Sequence, residues 1–589
     1  MKQFFGAFFG SMVGIVLALI LGIVIVVALV KSSFKNLDKD EENTQLKENS
    51  ILRLVMDGPL TDREALNPFE GLGNLAPLGD EEGLGLNSLV KKIKDAESNK
   101  NIKGIYLSFR EMEAGFAALE ELRNALSDFR KSGKFVYSYA EYYTQKQYYL
   151  ASVADKVFLN PQGFFEWKGL HMNLMFFKNT FEKLELDVQV FRHGKFKSAV
   201  EPFLFDKMSQ ANRLQSEVFL NSIWNNMLLN ISKSRKIEVE ELNTMANKLA
   251  VQFPHDALGK FIDALAYEDE VLDELKKKTG LKPKDKPKFI SISDYKIKNQ
   301  STVSKAGKVA VIYAIGEIGG GDGDDEKIGS DRLAKAIREA RTDSTVKAVV
   351  LRVNSPGGSA LASEVIWREM SLCKKSKTTV VSMGNLAASG GYYISCAADH
   401  IFAQPNTITG SIGVFGLIPS FQRMLQGKFG ITLDTVNTNA YSDMASGLRP
   451  LSETEYVYIQ KTIENIYDAF TQRVAEGRRM SQAEVDSIGQ GRVWSGMDAL
   501  KIKLVDELGG LNDAIAYAAR KAGLKDYKLR ELPRQVNPLD GILGKKETEL
   551  ENRILQKNLG STYRYFKQVN SILDLKGYQA RLPFELELN

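Results

Sequence analysis

The chain is written twice. Aligning Tyr148-Tyr149-Leu150-Ala151-Ser152-Val153-Ala154-Asp155-Lys156-Val157-Phe158 on Tyr392-Tyr393-Ile394-Ser395-Cys396-Ala397-Ala398-Asp399-His400-Ile401-Phe402 gives an offset of 244 residues. The same offset superposes Lys103-Gly104-Ile105-Tyr106-Leu107 on Lys347-Ala348-Val349-Val350-Leu351, and the match persists to Gly280-Leu281-Lys282 against Gly523-Leu524-Lys525 with a shift of one residue. Whatever architecture one copy adopts, the other adopts too, and each copy of about 240 residues is of domain size. At this offset Ser389 faces Gln145, and Lys197 faces Tyr441. Gln145 to Lys197 is 52 residues, as is Ser389 to Tyr441. This is the pattern left when an ancestral Ser/Lys unit is duplicated and each copy loses one partner. Two complementary half-sites point to one composite site.

Within each copy, short apolar β-branched runs alternate with segments of helical period. The second copy opens with the strand-like Val309-Ala310-Val311-Ile312-Tyr313 and the first with Ile51-Leu52-Arg53-Leu54-Val55. Residues 347–353 read as a strand, 361–373 as a helix and 379–383 as the next strand. Such alternation implies crossover connections and a largely parallel sheet with helices on its faces. Residues 210–280 and 452–523 are dominated by helical patterns. The expected fold is α/β, in tandem.

The ends and the charge set further bounds. Residues 4–30 carry no charge. At about 1.5 Å per residue such a helix crosses a hydrocarbon core of roughly 30 Å, and its length suits an uncleaved transmembrane anchor better than a signal peptide. Gly6, Gly10 and Gly14 have the spacing of a close helix-packing face or simply reflect glycine's frequency in membrane helices. Lys2 on one side opposes Lys31, Lys35 and Lys39 on the other, so charge does not orient the anchor. A polar tether follows at residues 31–47, then the two repeats at 48–300 and 306–544, and an appendage at 545–589 without a counterpart. A net charge of +5, with no basic stripe interleaved with aromatics, argues against nucleic acid. Cys373 and Cys396, the chain's two cysteines, are expected as free thiols in helices.

Two segments carry chemistry. Asn354-Ser355-Pro356-Gly357-Gly358-Ser359 joins a strand to a helix, and its glycines let backbone N–H groups approach a ligand. It lacks the Gly-Lys-Ser/Thr ending of a phosphate loop, so half of an oxyanion hole is the alternative reading. Met383 to Gly391 also runs from strand into helix, with Ser389 at the helix start either as an ordinary N-cap or as a nucleophile beside free N–H groups. The four histidines, His171, His193, His255 and His400, offer no convincing base. Lys197, in Gly194-Lys195-Phe196-Lys197-Ser198-Ala199-Val200-Glu201-Pro202, serves as one only if burial brings its pKa well below about 10.4. Lys195 competes for the same role.

Together these segments resemble the signal peptide peptidase A (protease IV) family in its long, duplicated form. The resemblance rests on residues 354–359, 387–393, 195–202, Thr409-Gly410-Ser411-Ile412-Gly413 and Gly491-Arg492-Val493-Trp494, and spans nearly all of residues 48–530. It implies crotonase-like, Clp-protease-like domains, with Ser389 as nucleophile and Lys197 as general base. Ser411 corresponds to the serine that holds the lysine. Gly358 and Gly390 correspond to oxyanion donors, with Gly357 as a neighbour competing for the first role. It further implies a membrane-anchored homotetramer with its bulk on the extracytoplasmic (periplasmic) side of the inner membrane. The substrates implied are extended hydrophobic peptides such as signal-peptide remnants, cleaved without metal or organic cofactor. Two rivals stay open: a crotonase-fold enzyme acting on acyl-CoA, for which no acidic catalytic pair stands out, and a non-catalytic membrane scaffold derived from a protease.

Overall fold

Strands in this chain form where β-branched residues run without interruption, because their sheets are covered on both faces. In Val346–Ser355 only Lys347 is exposed. A strand buried on both sides shows no polar alternation, which is why it reads as a continuous apolar run. The computed structural model describes residues 46–64, 84–297, 306–535 and 578–581. The apolar run at residues 4–30 lies outside them, and among the described residues no helix is long and apolar enough to cross a membrane.

The duplication is visible strand by strand. In the first copy a parallel sheet runs Leu84–Gly85, Ser50–Thr61, Ile102–Glu113, Phe135–Tyr143, Lys156–Phe165, Ala264–Leu265, with Phe289–Ser291 beside Ser50–Thr61. In the second, Gly307–Ile315, Val346–Ser355 and Thr378–Ala388 take the corresponding central places, flanked by Tyr527–Leu532 and Ile408–Gly410. The long helices Gln210–Arg235 and Glu453–Arg478 also correspond. Each is opened by a serine, Ser209 or Ser452, whose side chain accepts a backbone N–H three residues on. Each is closed by a left-handed basic residue, Lys236 or Arg479. Both cysteines are buried free thiols, as expected.

The strand expected at residues 379–383 runs on to Ala388. Its last residues, Leu386 to Ala388, pair in parallel with Ile408 to Gly410 after a register break opposite Val353 to Ser355. The Asn354 side-chain oxygen accepts the Leu386 N–H across that break. The extension carries the chain directly to Ser389.

A third sheet draws on both copies, in the order Lys327–Gly329, Glu317–Gly319, Gly357–Ser359, Gln579–Arg581, Phe415–Ser420, Asp187–Arg192. The copies also share cores: Ala388, Ile408 and Val493 pack in the first copy's cluster, and Phe191 in the second's.

One deeply buried contact between them is ionic. Arg352, one position before Val353 on the strand leading to the glycine-rich turn, has 1% of its surface exposed. Its guanidinium meets Asp62 at 2.7 Å and Glu121 at 3.1 Å, both from the first copy, and also donates to Ser382 Oγ at 2.8 Å. Asp62 accepts from Asn354, and Glu121 accepts the Leu511 N–H. The two carboxylates raise the Arg352 pKa against the cost of burial. Removing one member of such a network strands the others without water, a loss of about 3–5 kcal/mol. Arg352→Ala is accordingly expected to lower the urea unfolding free energy by about that amount, with Arg352→Lys recovering only part because it lacks the planar fork. A change below about 1 kcal/mol in Arg352→Ala would mean that the seam is not what holds the copies in register.

Candidate active site

Lys197 reaches the second copy because its segment is stitched there. The strand Asp187–Arg192 lies antiparallel on Phe415–Ser420, with Arg192 opposite Phe415. The chain then turns at Gly194, in the left-handed region at φ 97°, and Phe196 N–H donates to the Gln490 carbonyl at 2.9 Å. Gln215, buried on the long helix, donates to the Phe196 carbonyl and to Ser198 Oγ while its own oxygen accepts the Val493 N–H. Gly491, at φ 79°, lies against the lysine backbone so closely that a Cβ there would sit 2.6 Å from Lys197 N. Gly413 lies along the lysine stem. The result is a lysine with no exposed surface.

Ser389 ends its strand in an unusual conformation, φ 54° and ψ −114°. A non-glycine residue there stores about 1–3 kcal/mol of strain. The N-cap reading is set aside by the geometry, because the Ser389 side chain makes no capping bond to the helix Gly390–Ser395. Its N–H is held instead by the Gly410 carbonyl at 2.8 Å, which turns Oγ toward the lysine. Lys197 Nζ lies 3.0 Å from Ser389 Oγ and 3.1 Å from Ser411 Oγ. It also lies 3.4 Å from the Ser411 carbonyl oxygen and 2.5 Å from that of Arg581. Ser411 is itself left-handed, at φ 48°, and its N–H donates to the Arg492 carbonyl at 2.7 Å. Burial alone pushes the Lys197 pKa well below the ordinary lysine range, with no charged group among its causes. Among the described residues no acid pairs with it.

The other sequence candidates separate cleanly. Lys195 is exposed, its Nζ over the Phe196 ring. His193 stacks on Tyr467, and His400 pairs with Glu507, so neither is a partner of Ser389. Gly390 and Gly357 abut, since a Cβ on Gly357 would lie 2.7 Å from Gly390 N. The Gly357 N–H is engaged by Ser355 Oγ at 3.2 Å. Gly358, at φ 153°, is one residue further along the same strand, paired with Ala580.

In the first copy the equivalent position is sealed. Gln145 stands where Ser389 would, donating to the Gly169 carbonyl and accepting the Lys168 and Gly169 N–H groups. Trp167 takes the place of Ser411 at that offset, buried, with its ring tilted against that of Trp224 at 5.2 Å. Tyr441, the counterpart of Lys197, is 51% exposed.

Known proteins sharpen this picture. Peptidase family S49 matches the chain twice, over residues 128–282 and 371–525, one stretch holding Lys197 and the other Ser389. The chain belongs to peptidase family S49. As a member it is a serine endopeptidase, and its duplicated domains are Clp-protease-like, the Clp protease family also matching residues 327–409. It is similar to Protease 4 of Salmonella typhi, 38% identical over 518 residues, 85% of this chain and 83% of that one. Protease 4 of Haemophilus influenzae is 36% identical over 498 residues, 81% of this chain and 79% of its own. The chloroplastic serine protease SPPA of Arabidopsis thaliana is 32% identical over 472 residues, 78% and 70% of the two chains.

Three features of the site escaped sequence reasoning: the Gln215 clamp, the wall formed by Gly491, and the Arg581 carbonyl on Lys197. Gly491 belongs to a motif visible in the sequence, but its contact with Lys197 spans 294 positions. Its Cβ contact gives a sharp test. Gly491→Ala is expected to push Lys197 off Ser389 and cost about 10²-fold in peptidase kcat/KM with little change in far-UV dichroism. Gly133→Ala, equally left-handed at φ 85° but facing open space, controls for backbone strain and leaves activity unchanged. Full activity in Gly491→Ala would show that the lysine's placement does not depend on this wall.

Proposed function

We propose that Ser389 and Lys197 form the catalytic dyad, contributed by different copies of the repeat. The observation that carries this reading is a fully enclosed lysine whose Nζ lies 3.0 Å from the serine oxygen, with no acidic partner among the described residues. A neutral amine has one lone pair and two N–H groups. The lone pair accepts the Ser389 hydroxyl, and the two N–H groups go to Ser411 Oγ and to a peptide carbonyl, so the local hydrogen-bond count closes. Ser389 Oγ attacks the substrate carbonyl while Lys197 takes its proton. The developing oxyanion lies between the N–H groups of Gly358 and Gly390. Lys197 then returns the proton to the leaving amine, and water hydrolyses the acyl-enzyme with the lysine again as base. Ser411 is a positioning residue. The scaffold and acyl-CoA readings explain neither the buried lysine nor the strained serine.

The same reading takes the fold as crotonase-like in both repeats, 48–300 and 306–544, and residues 4–30 as an inner-membrane anchor with the bulk of the chain periplasmic. The substrates are extended hydrophobic peptides such as signal-peptide remnants left in the bilayer. Self-association as a homotetramer is supported by the apolar surface after Phe421. The helix Gln422–Phe429 buries none of its residues, and Phe429, Ile431, Leu433 and Val436 are exposed, the last at 98%. Sedimentation of Val436→Glu should show smaller species than wild type. An unchanged distribution would remove this face from the assembly.

Hydrolysis of an unstructured apolar peptide tests the dyad. Ser389→Ala abolishes acyl transfer, and Lys197→Ala lowers kcat by about 10²–10⁴-fold. Lys197→Arg, which cannot deprotonate, is no better. Because the active lysine is the neutral one and burial lowers its pKa, kcat/KM should rise with pH and level off well below 10.5. An acid limb that persists unchanged in Lys197→Ala would assign the base elsewhere.

A further inference from the structure

The helix Phe116–Lys131 lies at the seam between the copies and begins without a cap of its own. Its N-cap residue is Gly115, which has no side chain to accept an N–H of the first turn. The duplication shows what is missing. At the offset of 244 Gly115 corresponds to Ser359, and Ser359 caps the equivalent helix, Ala360–Lys374, by accepting the Ala362 N–H at 3.3 Å. In the first copy the matching group, the Ala118 N–H, donates instead to Asn385 Oδ1 of the second copy at 3.0 Å. One copy caps the other's helix. The fit needs the space a glycine leaves, since a Cβ on Gly115 would lie 2.2 Å from Asn385 Oδ1 and 2.3 Å from its Cγ.

Asn385 stands four residues before Ser389, at the register break of the nucleophile's strand. Val353 pairs with Met383 and Ser355 with Ala387, so three residues, Gly384 to Leu386, face the single residue Asn354. Bulges of this kind bend a strand and re-aim the side chains beyond them. This one is held at each of its residues. Thr407 Oγ1 donates to the Gly384 carbonyl at 2.8 Å, Asn385 accepts from the first copy's helix, and the Leu386 N–H donates to Asn354 Oδ1 at 3.0 Å. Asn354 is in turn oriented by Asp62 of the first copy, whose carboxylate accepts its amide at 2.5 Å. Leu386 and Ala388 pack on the first copy's core. Beyond the bulge, only the short ladder of Leu386–Ala388 with Ile408–Gly410 separates Asn385 from Ser389. The first copy's counterpart of Asn385 is Glu141, which is exposed.

We propose that Asn385 is a positioning residue for the nucleophile: seated as the cap of the first copy's helix, it fixes the bulge that aims Ser389 at Lys197. The role rests on the Ser389/Lys197 reading. The first copy then serves catalysis twice, once by supplying the base and once by shaping the strand that carries the serine. Ser389 holds a backbone torsion it would leave if free, φ 54°, while its Oγ stays 3.0 Å from Lys197 Nζ. Released at Asn385, the bulge relaxes toward ordinary pairing and carries Ser389 with it. A displacement of about 1 Å at the reacting atoms costs on the order of 10²-fold in rate. Activity is thereby tied to the docking of the two copies, because a second copy parted from the first loses this seat as well as the lysine.

Gly115→Ser in the full chain separates this role from a merely structural one. It gives the first copy's helix the cap that Ser359 gives the second, and its Cβ expels Asn385 from the seat. Thermal and urea unfolding of Gly115→Ser should match or exceed wild type. Its kcat on an unstructured apolar peptide should fall about tenfold or more, with KM within about twofold. Asn385→Ala should show the same kcat loss. Asn385→Asp, which restores an acceptor suited to a helix N-terminus, should recover kcat to within about threefold of wild type. Gly115→Ser/Asn385→Ala should be no worse than either single change, because both break one contact. A folded Gly115→Ser that keeps the wild-type kcat overturns the proposal, as does a loss in Asn385→Ala that Asn385→Asp does not recover. Activity lost only in proportion to unfolded protein overturns it too, and if Asn385→Ala does not fold, Gly115→Ser and Asn385→Asp decide. Ser389→Ala and Lys197→Ala are assayed beside them. Hydrolysis persisting in both overturns the dyad and the role of Asn385 with it, whereas their inactivity beside a fully active Gly115→Ser overturns the seat and leaves the dyad standing.

Discussion

Lys197 is enclosed from every side, that burial pushes its pKa well below the ordinary lysine range, and the rest of the site is built around the enclosure. An acid within reach would stabilise the ammonium, and bulk water would hydrate it. The side chain is surrounded instead by Gly413, Gly491, two serine hydroxyls and backbone carbonyls. Glycine is needed where the lysine backbone and stem pass, because a Cβ on Gly491 or Gly413 would occupy the same space. One copy of the repeat supplies the lysine, the other supplies most of the walls, and the C-terminal strand supplies the last carbonyl.

Such enclosure works only if the two copies are held in strict register, and two kinds of interaction do this. The ladder between Asp187–Arg192 and Phe415–Ser420 fixes the lysine segment through backbone bonds that tolerate many side chains. The Arg352 network fixes the glycine-rich strand against Asp62 and Glu121, with charges that are costly if misplaced. Between them lies the strained Ser389 turn. The extended strand Thr378–Ala388 and the Gly410 carbonyl hold that residue in a conformation it would leave if free.

The sheet that carries these contacts also bears on the proposed peptide substrates. Its two inner edges, Gly357–Ser359 and Phe415–Ser420, offer backbone groups rather than side chains. Recognition of this kind depends on the substrate being extended and free of its own structure, with alternate side chains tested by pockets. It is consistent with the extended peptides proposed as substrates.

Much of this was legible in the residues. The duplication, the α/β alternation and the complementary absence of a lysine and a serine follow from local pattern and from one offset, and Lys197 with Ser389 followed from them. Pattern of that kind records which faces are buried and which residue types recur, because periodicity is written by burial. It does not record which segments meet. Whether Ser389 caps its helix turned on a backbone torsion and a missing capping bond. The choice between Lys195 and Lys197 turned on which side of a short loop faced inward. The directions of the Gly357 and Gly358 backbone groups are set by the phase of a ladder formed with residues more than two hundred positions away. The tail motif Tyr578-Gln579-Ala580-Arg581 carries no signal of its own, since any extended segment of suitable size satisfies a backbone slot. The chemistry was therefore set by residue identity, whereas the site itself, an enclosed pocket closed by three distant segments, was decided only by tertiary packing.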